Sequence, residues 1–142
     1  MKTRDQEYAS DAVQKVSAVK KNLNDIECNR YGSMAHQLPI LIRTAGLAQA
    51  LGFLETRDTR GHRQLLDDLG ATVGLPNTLV QKAGGVQLNE YMHLTRQVLA
   101  ALLWYKRFAQ SILDIKASDV GRDVNEVPVP ETQVSDTEAK KG

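Results

Sequence analysis

Three histidines, one cysteine and an acidic pair are the side chains of this sequence with bond-making chemistry. His36, His62 and His93 lie far apart, and none belongs to a His-x-x-x-His or His-x-x-x-x-His ligand pair. A transition metal would need them to converge in space with carboxylates, so no metal and no cofactor is expected. Cys28 follows Asp25-Ile26-Glu27, which offers a thiolate no cationic support; it reads as a helix-end cysteine rather than a nucleophile. Gly84-Gly85 lacks the Gly-Lys-Ser/Thr that completes a phosphate loop, and Gly46 with Gly52 is not a dinucleotide fingerprint. Asp67 and Asp68, adjacent on a helix, point about 100° apart, so an exposed acidic edge is expected rather than a magnesium site. No acid, base, nucleophile and metal group assemble, so neither an enzyme nor a small-molecule substrate is expected.

The basic residues carry more information. Arg57, Arg60, His62 and Arg63 crowd one connection, and guanidiniums placed so can follow a phosphate backbone without reading bases. A solvated loop pairing with Glu55 and Asp58 accounts for them equally. Arg96 and Arg107 are eleven residues apart on the last helix, close to three turns, so they share a face about 16 Å apart. Lys106 flanks that stripe, with His93 and Gln110 on the same side; the pattern suits a backbone-tracking stripe, and an ordinary polar face accounts for it at least as well. Arg43, at the end of an apolar block, joins these six as a candidate RNA-binding residue. Leu103 and Trp104 project near the same outer face, and a protein interface is expected there, because such side chains are a liability on a bare surface.

The elements that must position these groups are helices. Thr3 with Gln6 makes a capping box, and Tyr8, Ala12, Val13, Val16, Val19, Leu23 and Ile26 form one stripe of a helix over about 4–27. Asn29-Arg30-Tyr31-Gly32 reads as a turn and Ser33 as the next cap. The run 33–44 is apolar enough to be the most buried helix, with Pro39 kinking it or shifting its start. Gly46 marks a break before a short helix at 47–54. After the charged connection 55–63, helices are expected at 64–73 and 78–86. The last, about 88–116, has Leu88, Tyr91, Met92, Thr95, Val98, Leu99, Leu102, Ala109, Ile112 and Leu113 facing inward. Leu38, Ile42, Leu51, Phe53, Leu99 and Leu102 are the expected core.

The fold class is therefore all-α: a compact bundle of about five to six helices over 1–117, followed by a disordered acidic tail over 118–142. In the body, 15 Lys and Arg face 11 Asp and Glu, a charge of +4; the tail, with Pro128 and Pro130, carries −3. A mildly basic body permits a nucleic-acid partner without demanding one. A single cysteine excludes an internal disulfide and suits a reducing cytoplasm. No apolar run of about 18 residues suggests a membrane span, and the charged N-terminus has no apolar stretch typical of a secretion signal.

One stretch is similar to a known family. The run from Tyr31 to Leu54 opens Tyr31-Gly32-Ser33, passes through Leu38-Pro39 and an apolar segment, and closes Gly46-Leu47-Ala48-Gln49-Ala50-Leu51-Gly52-Phe53-Leu54. With Arg4-Asp5-Gln6-x-Tyr8-Ala9 and Leu102-Leu103-Trp104-x-Lys106-Arg107-Phe108-Ala109, it resembles the small-subunit family of type III-B CRISPR (Cmr) effector complexes. The resemblance covers residues 1 to about 115. It implies a non-catalytic helical subunit of an RNA-guided antiviral complex, stacked in several copies as a short filament. The implied partners are the backbone subunits, the large subunit, further copies of the chain, and the guide and target RNA whose duplex it helps to hold. The alternative is a helical protein–protein adaptor with no direct RNA contact.

Overall fold

The computed structural model describes residues 1–119, and the expected acidic tail lies almost entirely outside them. Among the described residues there are six α-helices and no strand. They are α1 (Arg4–Asn22), α2 (Asp25–Ala45), α3 (Leu47–Thr56), α4 (Arg60–Thr72), α5 (Leu79–Gly85) and α6 (Leu88–Ser111), followed by a 3-10 turn at Ala117–Asp119.

α1 begins as expected. The Thr3 hydroxyl accepts from the Gln6 amide at 3.1 Å, and the Gln6 side chain returns to the Thr3 amide at 2.8 Å. It stops earlier than its stripe suggests, because Leu23 is extended and Asn24 caps α2, its side chain accepting from Glu27 N–H at 2.8 Å. Ile26 is thereby released from the apolar stripe and is 59% exposed.

The central correction is α2. The presumed turn Asn29–Gly32 is helix, and Ser33 is a buried helical residue rather than a cap. Gly32 is there for space: a Cβ on it would stand 2.6 Å from Ile115 Cδ1. The helix also runs through Pro39 instead of starting near it. Packing against α3, α4 and α6 holds α2 helical despite the missing amide. Gly46, at φ 92°, breaks the chain into α3 as expected.

α4 starts at Arg60, not Gln64, so the charged connection shrinks to Arg57-Asp58-Thr59. Thr59 caps it through the His62 amide, and the Glu27 carboxylate reaches across from α2 to accept from Gly61 N–H at 2.7 Å. α6 ends at Ser111, and Asp114, at φ 61°, turns the chain back so that Ile115 packs on α2. The buried stripe of α6 is Leu94, Val98, Ala101, Leu102, Tyr105 and Ala109. Leu88 and Met92, expected inside, are 70% and 49% exposed. Leu38, Ile42, Leu51 and Leu102 are buried as expected, whereas Phe53 and Leu99 are half-buried at the margin.

Candidate nucleic-acid interface

The candidate basic residues fall on separate surfaces. Arg57, in the α3–α4 connection, stacks its guanidinium 5.3 Å from the Phe53 ring centre. Arg60 and Arg63 sit in the first turn of α4; Arg63 pairs with Asp58 at 2.9 Å, while Arg60 opens onto a cleft between α1 and α4 beside Lys15 and Gln64. Arg60, Arg43 and Arg96 are exposed and join no hydrogen bond or ion pair among the described residues. Arg43 lies in the last turn of α2. It is 16 residues from Glu27, the residue that meets Gly61, which separates it from the α4 group by about 24 Å along the helix.

Arg96 and Arg107 do share a face of α6, with Leu103 between them. That face points away from the core. Tyr105, which looks inward to α4, is nine residues from Arg96, a rotation of about 180°. The α6 stripe and the α4 group therefore do not form one continuous surface. Trp104 is turned toward α1: its indole N–H donates to Asp5 at 2.9 Å, its ring stacks on Phe108, and Arg107 lies 5.1 Å over it. Leu103 is 42% exposed, and Lys106 is half-buried.

Sequence reasoning missed a polar chain at the centre of the bundle. Asp68, expected on an exposed edge, is buried on α4. Its carboxylate accepts from the Tyr31 hydroxyl of α2 at 2.7 Å and from Gln64 at 2.8 Å. Its backbone carbonyl accepts from the Tyr105 hydroxyl of α6 at 3.1 Å, and Thr72 links Tyr105 to Asp11 of α1. Burial raises the Asp68 carboxyl above the usual carboxylate range, only partly offset by the bonds from Tyr31 and Gln64 and by Lys15. Burial, reinforced by Asp68, pushes the Tyr31 phenol well up, and burial raises Tyr105 too. These groups hold four helices together; they do not open as a reactive site.

The other candidates for chemistry are dispersed. His36 is buried, with Nε2 2.8 Å from the Ile115 carbonyl; His62 is buried against Thr59; His93 is exposed on α6. Cys28 is half-buried, its thiol facing the Val19 and Leu23 carbonyls, and burial and Asp25 push it up against a smaller lowering by Lys20. Among the described residues, no three His, Cys, Asp or Glu side chains come together as a metal site, and no helix is long and apolar enough to cross a membrane.

A family model described as CRISPR-associated protein (Cas_Cmr5) matches residues 4–112. The Thermus thermophilus protein named CRISPR system Cmr subunit Cmr5 is 40% identical over 116 residues, spanning 80% of this chain and 99% of that protein. The crystal structure of a CRISPR-associated Cmr5 family protein from the same organism superposes with a TM-score of 0.74 at 41% identity, covering 80% of this chain and 99% of its own.

Proposed function

The chain belongs to the Cas_Cmr5 family, and from that premise we propose that it is a non-catalytic small subunit of a type III-B CRISPR (Cmr) effector in the cytoplasm. Copies stack along the backbone subunits and help hold the guide–target RNA duplex for antiviral defence. The match over residues 4–112, with 99% coverage of a Cmr subunit, carries the reading. Cleavage is left to other subunits.

RNA contact on this reading is electrostatic and blind to sequence. Arg57, Arg60 and Arg63 form one phosphate-following group; Arg96, Lys106 and Arg107 form another, with Arg43 apart from both. Pairing between guide and target supplies the sequence recognition, and the protein meets the duplex through its backbone. A single body of charge +4 binds RNA weakly, and affinity arises when several copies line one duplex.

The adaptor reading has its own support: Arg57 lies on Phe53, Arg63 on Asp58 and Arg107 on Trp104, so three of the cations serve the chain itself. Two variants, each assembled into the effector, separate the readings. One is Arg57→Ala/Arg60→Ala/Arg63→Ala and the other Arg96→Ala/Arg107→Ala. RNA contact predicts weaker binding of all targets alike, and a salt slope shallower by up to about 3 per engaged copy for the triple variant. If both assemble and bind RNA like wild type at every salt concentration, the adaptor without RNA contact replaces this reading.

A further inference from the structure

α1 and α4 each turn one row of side chains toward the other. Lys15, Val19 and Asn22 recur at steps of four and three on α1, and Arg60, Gln64 and Asp68 at steps of four on α4; all six line one recess of about 280 Å³. The two helices run antiparallel there. Asp11 of α1 meets Thr72 of α4, and from that contact Asn22 and Arg60 each lie about 17 Å along their helices. Arg60 therefore stands at one end of the recess, and Lys15, level with Asp68, at the other.

The recess is smaller than the roughly 300–1,000 Å³ of a small-molecule pocket, and none of its lining residues is aromatic, so it offers a base nothing to stack on. Its donors suit a small anion. The Arg60 guanidinium is exposed and joins no hydrogen bond or ion pair among the described residues. The Lys15 ammonium gives one bond to Asp11 at 2.9 Å and has two N–H left, and Gln64, bonded once to Asp68, keeps its second amide N–H. The carboxylates are occupied: Asp68 accepts from Tyr31 and Gln64, and Asp11 accepts from Lys15 and Thr72. The backbone under Arg60 is fixed as well. Gly61 N–H donates to Glu27 at 2.7 Å and His62 N–H to Thr59, so the amides at the start of α4 are spent and the grip on an anion falls to side chains.

We propose that this recess seats one phosphate of an RNA backbone, held from its two ends by Arg60 and Lys15; this rests on the RNA-contact reading above and names the group held. Arg60 forks onto the phosphate oxygens, and Lys15 adds a point charge. Lys15 thereby joins the RNA-contacting residues, and Arg60 becomes the member of the α4 group that matters most, since Arg57 and Arg63 already lie on Phe53 and Asp58.

The test uses small subunits assembled into the effector, with target RNA binding followed against salt. Lys15→Gln and Arg60→Ala should each weaken binding, and Lys15→Arg should bind like wild type. The double variant Lys15→Gln/Arg60→Ala should flatten the salt slope by about 1 per engaged copy, because one phosphate is given up. Single neutral methylphosphonates are then walked along both strands of the duplex. At the seated positions they should weaken wild type and cost the double variant nothing further. If Lys15→Gln binds like wild type while Arg57→Ala/Arg60→Ala/Arg63→Ala loses RNA, the recess is overturned and RNA contact stands. A slope change of about 2 per copy, or equal losses for wild type and the double variant at every methylphosphonate, also overturns the shared seat. If no arginine or lysine variant alters RNA binding, RNA contact falls with it.

Discussion

Tyr31→Phe removes one oxygen from the middle of the bundle, and its effect follows from the site around Asp68. The Tyr31 hydroxyl donates to the Asp68 carboxylate at 2.7 Å with both groups buried. A hydrogen bond to an ionised partner contributes about 1.5–3 kcal/mol, and its loss leaves a buried oxygen underserved. Gln64 still donates to the other oxygen at 2.8 Å, so the expected cost at pH 7 is about 2 kcal/mol. That cost depends on pH with a definite sign. Burial raises the folded Asp68 pKa, so the native state keeps a proton that the unfolded chain has lost, and stability falls as pH rises through that window. Tyr31 limits the rise by favouring the carboxylate. Without its hydroxyl the folded pKa climbs further, the window widens upward, and the penalty grows with pH before levelling off. Urea unfolding of wild type, Tyr31→Phe, Asp68→Asn and the double variant from pH 4 to 8 measures all of this. The double variant should lose most of the pH-dependent difference. A penalty under about 0.5 kcal/mol at pH 7, or one constant across the range, would refute the assignment.

Two further outcomes are expected of the fold. Gly61→Ala places a Cβ 2.3 Å from the Glu27 carbonyl and 3.1 Å from Arg30 Cβ, so α2 and α4 must part; a loss of about 1–3 kcal/mol in urea unfolding is expected, whereas Gly52→Ala, with open space around it, should cost nothing measurable. Ile115→Ala empties the position over Gly32 and should cost about 2–4 kcal/mol, and hydrogen exchange should quicken at residues 112–116; an unchanged midpoint would mean that this segment does not belong to the packed domain.

Local signals were legible where local chemistry decides. Thr3 with Gln6 announces α1, and Gly46 announces the break before α3, because each acts on its own neighbours. What could not be seen depends on partners distant in sequence. Gly32 looks like a turn until Ile115, 83 residues on, occupies its missing side chain. The start of α4 moves to Arg60 because Glu27 supplies an acceptor from another helix. Asp68 beside Asp67 looks like an exposed edge, and the Tyr31 hydroxyl, reaching from another helix, joins Gln64 in making its burial tolerable. The candidate interface was legible in the same uneven way. Helical arithmetic puts Arg96 and Arg107 on one face, and Val98, Leu102 and Ala109 are buried as expected, but the phase of the core stripe is off at its start. Leu88 and Met92 were assigned inward, and Leu94, Ala101 and Tyr105 take those places.

The corrected phase also bears on which surface suits RNA. The outer face of α6 mixes Arg96 and Arg107 with exposed Met92 and Leu103. A phosphate backbone has nothing to offer those apolar side chains, whereas a protein partner covers them while pairing the guanidiniums. At the α4 group, Arg60 looks into a cleft shared with Lys15, Asn22 and Gln64, all able to donate to phosphate oxygens. Asp68, which also lines it, already accepts from Tyr31 and Gln64, so its oxygens are engaged inside the protein. If one of the two arginine variants keeps RNA affinity and loses assembly instead, it should therefore be Arg96→Ala/Arg107→Ala. Salt-sensitive loss of RNA should then follow Arg57, Arg60 and Arg63. The opposite pattern, with the α6 variant losing RNA and the α4 variant losing assembly, would reverse the two faces.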